Sequence, residues 1–207
     1  MIPDEDISGI PLEMQAAYAS MTDLYADVAR NMAVVLEVHA AAGQRPSCTR
    51  GCDACCHQLV LATVAEAEVM AEALQRLPGA ERAKLEGRLD AWLRETSTLR
   101  HTLQQSEPDD LDAVVEAMAE SYWARRIPCP FLVDRACALH EARPLACRQH
   151  HALGDPKHCA EPDGRHVEQM EAMEDLFFLA QDAISGKDAE IGIFPELVAL
   201  LGREAGA

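Results

Sequence analysis

Between Pro11 and Ala42 the apolar residues Met14, Tyr18, Met21, Tyr25, Val28, Met32 and Val35, with His39 in the same series, return every three or four positions. That spacing predicts one long amphipathic helix over 11–42, with Pro near its start and Gly43 at its end. Its Met and Tyr stripe reads as core packing rather than a cofactor box. Gln58 to Ala62 is a short apolar run, read as a strand. Thr63-Val-Ala-Glu66 has the form of a capping box and predicts a second helix that stops at Pro78-Gly79. Leu85, Leu89, Trp92, Leu93 and Thr96 mark one side of a third helix, ended by the polar break Gln105-Ser-Glu-Pro108. A fourth, from about Asp109, carries Leu111, Val115, Met118 and Tyr122 and runs into Ile127-Pro128.

Helical period then disappears. Residues 129 to 163 are rich in Cys, Pro and His, and Phe131–Val133 and Ala138–His140 are expected to pair as a tiny hairpin across Asp134-Arg135. After Asp163-Gly164, Val167, Met170, Leu176, Phe177, Ala180 and Ile184 define another helix, and a last short one is expected from Pro195. No internal repeat is seen, and strands do not alternate with helices, so a parallel sheet with a nucleotide crevice is not expected. The expected fold is mainly α: a bundle-like single domain over 1–207 with two irregular cysteine-rich metal-binding loops and at most a small β-hairpin. It comprises an N-terminal helix (11–42), a cysteine-cluster core (45–160) and C-terminal helices (164–207).

Composition changes this picture at one point. With 207 residues, 49% of them hydrophobic, the chain can build a core without covalent staples, so its 8 Cys call for another explanation. The start Met1-Ile-Pro-Asp-Glu-Asp is acidic where a secretory signal is basic. The most apolar stretch, Met32 to Ala42, is interrupted by Glu37 and His39, far short of the roughly 20 apolar residues that span a bilayer. A cytoplasmic protein without a membrane partner is expected, and there thiols stay reduced and clustered cysteines serve as metal ligands or redox groups.

A net charge of −17 argues against a nucleic-acid partner. The two cysteine-bearing stretches, 45–56 and 124–166, nevertheless hold nine Lys and Arg against six Asp and Glu, a surplus of +3 that leaves −20 for the rest. Nearby positive charge favours thiolates and predicts lowered cysteine pKa values.

The candidate metal ligands are Cys48, Cys52, Cys55 and Cys56 in the first loop, and Cys129, Cys137, Cys147 and Cys159 in the second. Loops of two or three residues let neighbouring thiolates converge on one ion or cluster, in zinc and iron-sulfur sites alike. Cys55 and Cys56 are adjacent, and in extended backbone their side chains would point to opposite sides. Either one faces a second site or some thiols stay free; ligands from both loops sharing a centre is the favoured arrangement, because joining distant segments lets metal binding contribute to folding. The adjacency of Cys56 and the distance of Cys159 weaken their claim to that one site. His57, His140, His150, His151 and His158 lie in or beside the loops and can replace a thiolate in a zinc site, with His57 and His158 the best placed. Arg143 and Arg148 are candidate cofactor-binding residues, donating to cluster sulfur or binding an anionic ligand, unless they pair with Glu141 or Asp155.

Cys48-Thr-Arg-Gly-Cys52-Asp-Ala-Cys55-Cys56-His57, then Cys129-Pro-Phe-Leu132, Cys137 and Glu141-Ala-Arg-Pro144-x2-Cys147-Arg148 resemble the YkgJ-like cysteine cluster proteins, a zinc- or iron-chelating domain. The resemblance covers roughly Cys48 to Cys159. It implies metal chelation by these cysteines, with no single reaction shared by all members. His140 stands where an aromatic residue such as Tyr is expected. The flagellin lysine methylases are similar in carrying a like motif, but are longer, and no substrate-binding region carries across. The spacing Cys48-x3-Cys52-x2-Cys55 is also that of radical S-adenosylmethionine enzymes, whose barrel strands and glycine-rich cofactor segment are missing here. The leading expectation is an iron-sulfur protein with a redox or cluster-dependent role. The alternatives are a zinc module serving a partner surface, the protein partner being unknown, and a catalyst of methyl or electron transfer at an open cluster iron.

Overall fold

A computed structural model describes residues 12, 14–15, 18–49, 51–105, 111–153, 155, 159, 168–184 and 186–204. The first helix, α1 (Met21–Ala41), starts at Ser20, whose hydroxyl accepts the Asp23 amide at 3.2 Å. It thus begins ten residues later than the apolar spacing predicts. Met14 and Tyr18 carry the right period without helix because they fold back over α1: Tyr18 donates to the Asp27 carboxylate, and the Asn31 amide and the Tyr18 hydroxyl both reach the Met14 sulfur. Several residues between Pro11 and Ala17 lie outside the described set. The buried face of α1, with Leu24, Val28 and Val35, packs on α7 (Glu171–Asp182) through Met173, Leu176 and Ala180.

Two strand-to-helix units form the other half. β1 (Leu61–Thr63) pairs antiparallel with β6 (Ile191–Ile193), Leu61 opposite Ile193 and Thr63 opposite Ile191, and each strand leads directly into a helix. These helices, α2 (Val64–Gln75) and α8 (Phe194–Glu204), pack on each other around Met70, Leu74, Phe194 and Val198. The capping box is formed as expected: Thr63 Oγ1 accepts the Glu66 amide, and the Glu66 carboxylate accepts the Thr63 amide at 2.8 Å.

The third helix, α3 (Gly79–Glu95), presents Leu85, Leu89 and Trp92 inward as predicted. It does not run on to Gln105: the chain breaks at Thr96, whose hydroxyl bonds back to the Trp92 carbonyl, and restarts as α4 (Ser97–Gln104). Residues 106–110 of the expected polar break lie outside the described set. On α5 (Leu111–Ala124), the Tyr122 hydroxyl accepts the buried Trp92 indole N–H at 2.9 Å. Tyr122→Phe strands that N–H and is expected to cost about 1–3 kcal/mol. The change reads as a lower denaturant midpoint at constant m-value; an unmoved midpoint would mean that the indole finds another acceptor.

The predicted hairpin forms, with a tighter register. β2 (Leu132–Val133) pairs with β3 (Ala136–Cys137), Val133 opposite Ala136, across Asp134 and Arg135, both at positive φ (48° and 61°). A two-residue turn forces residues 133 and 136 together, so the second strand cannot wait until 138–140. Ala138 still donates to the Phe131 carbonyl, and His140 opens a 3-10 turn, His140–Ala142. Three short elements have no signature in the apolar pattern: α6 (Leu145–Gln149), five residues long, and the strands β4 (Ala152–Leu153) and β5 (Glu168–Gln169), whose ladder delays α7 relative to its predicted start. The fold is mainly α, and no helix among the described residues is long and apolar enough to cross a membrane.

Candidate metal centre

The first cysteine loop is tied to the second at both ends. Ser47 donates its amide to the Ala152 carbonyl at 2.9 Å, and the Ala152 amide donates to the Cys48 sulfur at 3.4 Å, which stitches Cys48 to β4. Eight residues after Cys48, the Cys56 carbonyl accepts the Cys129 amide at 2.8 Å. Gln58 Nε2 reaches the carbonyl of Cys159, itself buried at 3% exposure. Segments about a hundred residues apart are thereby held together.

Gly51, at φ +90°, with open space where a Cβ would sit, turns the chain, and the Cys52 amide closes on the Thr49 carbonyl. Cys55 and Cys56 then fall in a 3-10 turn, Ala54–His57, not in extended backbone. At three residues per turn their side chains diverge by about 120° rather than opposing each other, and the two thiols hydrogen-bond. His57 Nδ1 bonds the Asp53 carbonyl within the same turn.

In the second loop two thiols accept amides from two residues on, Phe131 to Cys129 and Leu139 to Cys137, one at each end of the hairpin. Cys147 sits on α6, whose first amide, at Leu145, donates to the buried Glu66 carboxylate at 2.6 Å. The position of Cys147 therefore depends on the cap of α2.

All eight cysteines are free thiols. Burial raises Cys48, Cys129 and Cys137; for Cys55 the hydrogen bond with Cys56 is the larger cause and burial the second. Cys147 is pushed up to about 12, by burial first and then by the charge of Cys55. Cys159 is pushed up to about 11, again chiefly by burial. The lowering predicted from the local basic surplus is reversed: Arg143 does favour the thiolates of Cys55, Cys137 and Cys147, but desolvation outweighs it.

Arg143 donates from Nε to the His140 carbonyl and from Nη1 to the Cys147 carbonyl, which keeps its charge beside these thiols. Arg148 lies 4.0 Å over the Tyr25 ring centroid and donates to the carbonyls of Arg143 and Glu141, holding α1 to the loop. Sequence reasoning missed both Glu66 as a support of Cys147 and Tyr25 as the platform of Arg148; the capping box was the only signal for the former. His140 is exposed and pairs with Glu141, so core packing makes no demand on it. Burial pushes His150 and His151 down, and His150 Nε2 is buried without a partner. His158 lies outside the described residues.

Soft, reduced sulfur donors from both loops suit zinc or iron. Among the described residues no three His, Cys, Asp or Glu side chains stand close enough to hold an ion as they are, so a metal would have to displace the thiol protons and draw the sulfurs together. Residues 47–175 match the CxxCxxCC family, described as "Putative zinc- or iron-chelating domain". The chain belongs to that family. No curated protein and no solved structure matches it. The CxxCxxCC match takes in all eight cysteines and extends past Cys159 into α7, beyond the span the motifs alone suggest.

Proposed function

We propose that this member of the CxxCxxCC family is an iron-sulfur protein of the cytoplasm, with its cysteines as ligands and a redox or cluster-dependent role. The observation that carries the reading is the tethering of the two loops that bear all eight reduced thiols, through the Cys56–Cys129 and Cys48–Ala152 hydrogen bonds. Backbone amides already aimed at the Cys129 and Cys137 sulfurs, and the Arg143 charge beside Cys137 and Cys147, would offset the negative charge of a thiolate-bound cluster. Protein purified without oxygen is expected to be brown, to absorb in the visible and to contain iron and acid-labile sulfide. Colourless protein carrying zinc, with neither iron nor sulfide after reconstitution, would replace this reading with the second one.

That second reading is a zinc module. It is favoured by the small hairpin beside Cys129 and bearing Cys137, each of whose sulfurs accepts a backbone amide two residues on, a setting in which a closed site of four ligands needs no open position. Methyl transfer gains no support from the CxxCxxCC match, whose description names metal chelation alone. The acidic balance of the chain, −17, gives nucleic acid little to bind.

A further inference from the structure

We propose that the cleft where α3, α4 and α8 meet binds a small carboxylic acid with an apolar body, its carboxylate held by Arg94 and Arg203. The cleft shares no residue with the cysteine loops, and the inference stands apart from the metal-binding reading.

Two helix faces make the walls. On α3, Asp90, Leu93 and Arg94 stand at i, i+3 and i+4; on α8, Glu196, Ala199, Leu200 and Arg203 stand at i, i+3, i+4 and i+7. Each helix therefore turns one face into the cleft, with a carboxylate at one end, apolar residues in the middle and an arginine at the other. The cleft holds about 380 Å³, within the range of small-molecule sites.

Its arginines differ in how firmly they are held. Arg100 is fully engaged: Nη1 meets Glu196 at 2.5 Å, Nη2 donates to the Leu93 carbonyl at 2.8 Å, and Nε donates to the Thr96 hydroxyl at 3.3 Å. Both partners of the Arg100–Glu196 pair are less than a fifth exposed, so this clasp fixes α4 to α8 and gives the cleft a rigid end. Arg203 is held loosely. It reaches Asp90 at 3.3 Å with both side chains more than half exposed, a pair that contributes little and can open to a ligand. The Arg94 side chain, one turn beyond Asp90 on the same face, has no hydrogen bond or ion pair among the described residues. Ser97, the first residue of α4, adds a hydroxyl and the positive end of a helix without a side-chain cap.

Three guanidiniums against two carboxylates leave one positive charge unmatched in the cleft of a chain whose net charge is −17. One carboxylate cancels it. A guanidinium takes a carboxylate through two parallel N–H bonds, and the matching apolar surface lies beside the arginines: Leu93, Ala199 and Leu200, the last 52% exposed.

The test is calorimetric titration of the full chain with phenylacetate, with its neutral amide phenylacetamide and with inorganic phosphate. One phenylacetate per chain is expected, with a dissociation constant on the order of 1 mM or below, and neither the amide nor phosphate should bind measurably. Arg94→Gln and Arg203→Gln should each weaken phenylacetate by about tenfold or more. Both side chains are exposed, so the melting temperature of the unliganded chain should not move. No saturable binding of phenylacetate, binding that both substitutions leave unchanged, or equal binding of phenylacetamide would overturn the proposal. Phosphate bound in preference to phenylacetate would overturn the assignment to a carboxylic acid. The comparison of acid with amide is made on the wild-type chain and does not depend on whether a variant folds.

Discussion

Glu66→Ala is expected to destabilise the protein by about 3–5 kcal/mol, the largest effect of any single substitution outside the cysteines, because it leaves several buried donors without an acceptor, each worth about 1–3 kcal/mol. Glu66 is 1% exposed. One carboxylate oxygen accepts the Thr63 amide at 2.8 Å and the Thr63 hydroxyl at 2.9 Å, and the other accepts the Leu145 amide at 2.6 Å. A single side chain thus closes the N-terminus of α2 and anchors the first residue of α6, two positions before Cys147. Glu66→Gln keeps one acceptor but turns an amide NH2 toward a backbone N–H, so an intermediate loss is expected. Denaturant melts at constant m-value read both changes. A shift of Glu66→Ala under about 0.5 kcal/mol, the range of ordinary surface substitutions, would mean that the carboxylate bridges nothing of consequence.

The second large effect is that of metal removal, and it should grow with pH. In the metal-free chain Cys147 titrates near 12 and Cys159 near 11, against an ordinary value of 9.0, so the folded state holds its thiol protons longer than the unfolded state does. The stabilisation from those protons is complete below about pH 9, and it is lost as the pH rises through 11 and 12. Metal acts in the opposite sense. Each thiolate ligand must shed its proton, so affinity, and with it the stability that binding adds, increases with pH. At a free-metal concentration a thousand times the dissociation constant that addition is about 4 kcal/mol. Calorimetry with and without chelator at pH 6, 7.5 and 9 should therefore show a gap in melting temperature that widens upward. A gap that stays constant or narrows would show that thiols are not what the metal displaces.

The helices were legible where a sequence-local cause exists. The Thr63–Glu66 box starts α2, and the Leu85, Leu89 and Trp92 series marks α3, because propensity, cap and burial agree there. The stretch before α1 misled for a physical reason: Met14 and Tyr18 bury against α1 through Asp27 and Asn31, and burial alone imitates helical period. The turn of the hairpin was readable, while its register followed only from the positive φ of both turn residues. Five-residue α6 is too short to show any period; it is placed by a carboxylate 79 residues away, a long-range fact that no local window contains.

At the site, cysteine spacing located the thiols and the family, and the structure supplied their setting. The electrostatic expectation failed because the arginine count says nothing about desolvation: Arg143 sits beside the thiols as expected, yet burial of Cys137 and Cys147 outweighs its charge. The geometry of Cys55 and Cys56 changed for a similar reason. Extended backbone was the natural assumption for a loop, whereas the Cys56 amide bonds to the Asp53 carbonyl and winds the dipeptide into a turn.

The central claim is that two segments far apart in sequence assemble into one thiolate-lined metal-binding region. Hydrogen exchange followed by mass spectrometry, on the full chain with and without bound metal, tests it most directly. On metal binding, amides of 47–58 and of 129–153 are expected to gain protection together, at the same metal concentration, while α3 and α4 stay unchanged. Protection confined to one of the two segments, or appearing in them at different metal concentrations with no effect of one on the other, would contradict it.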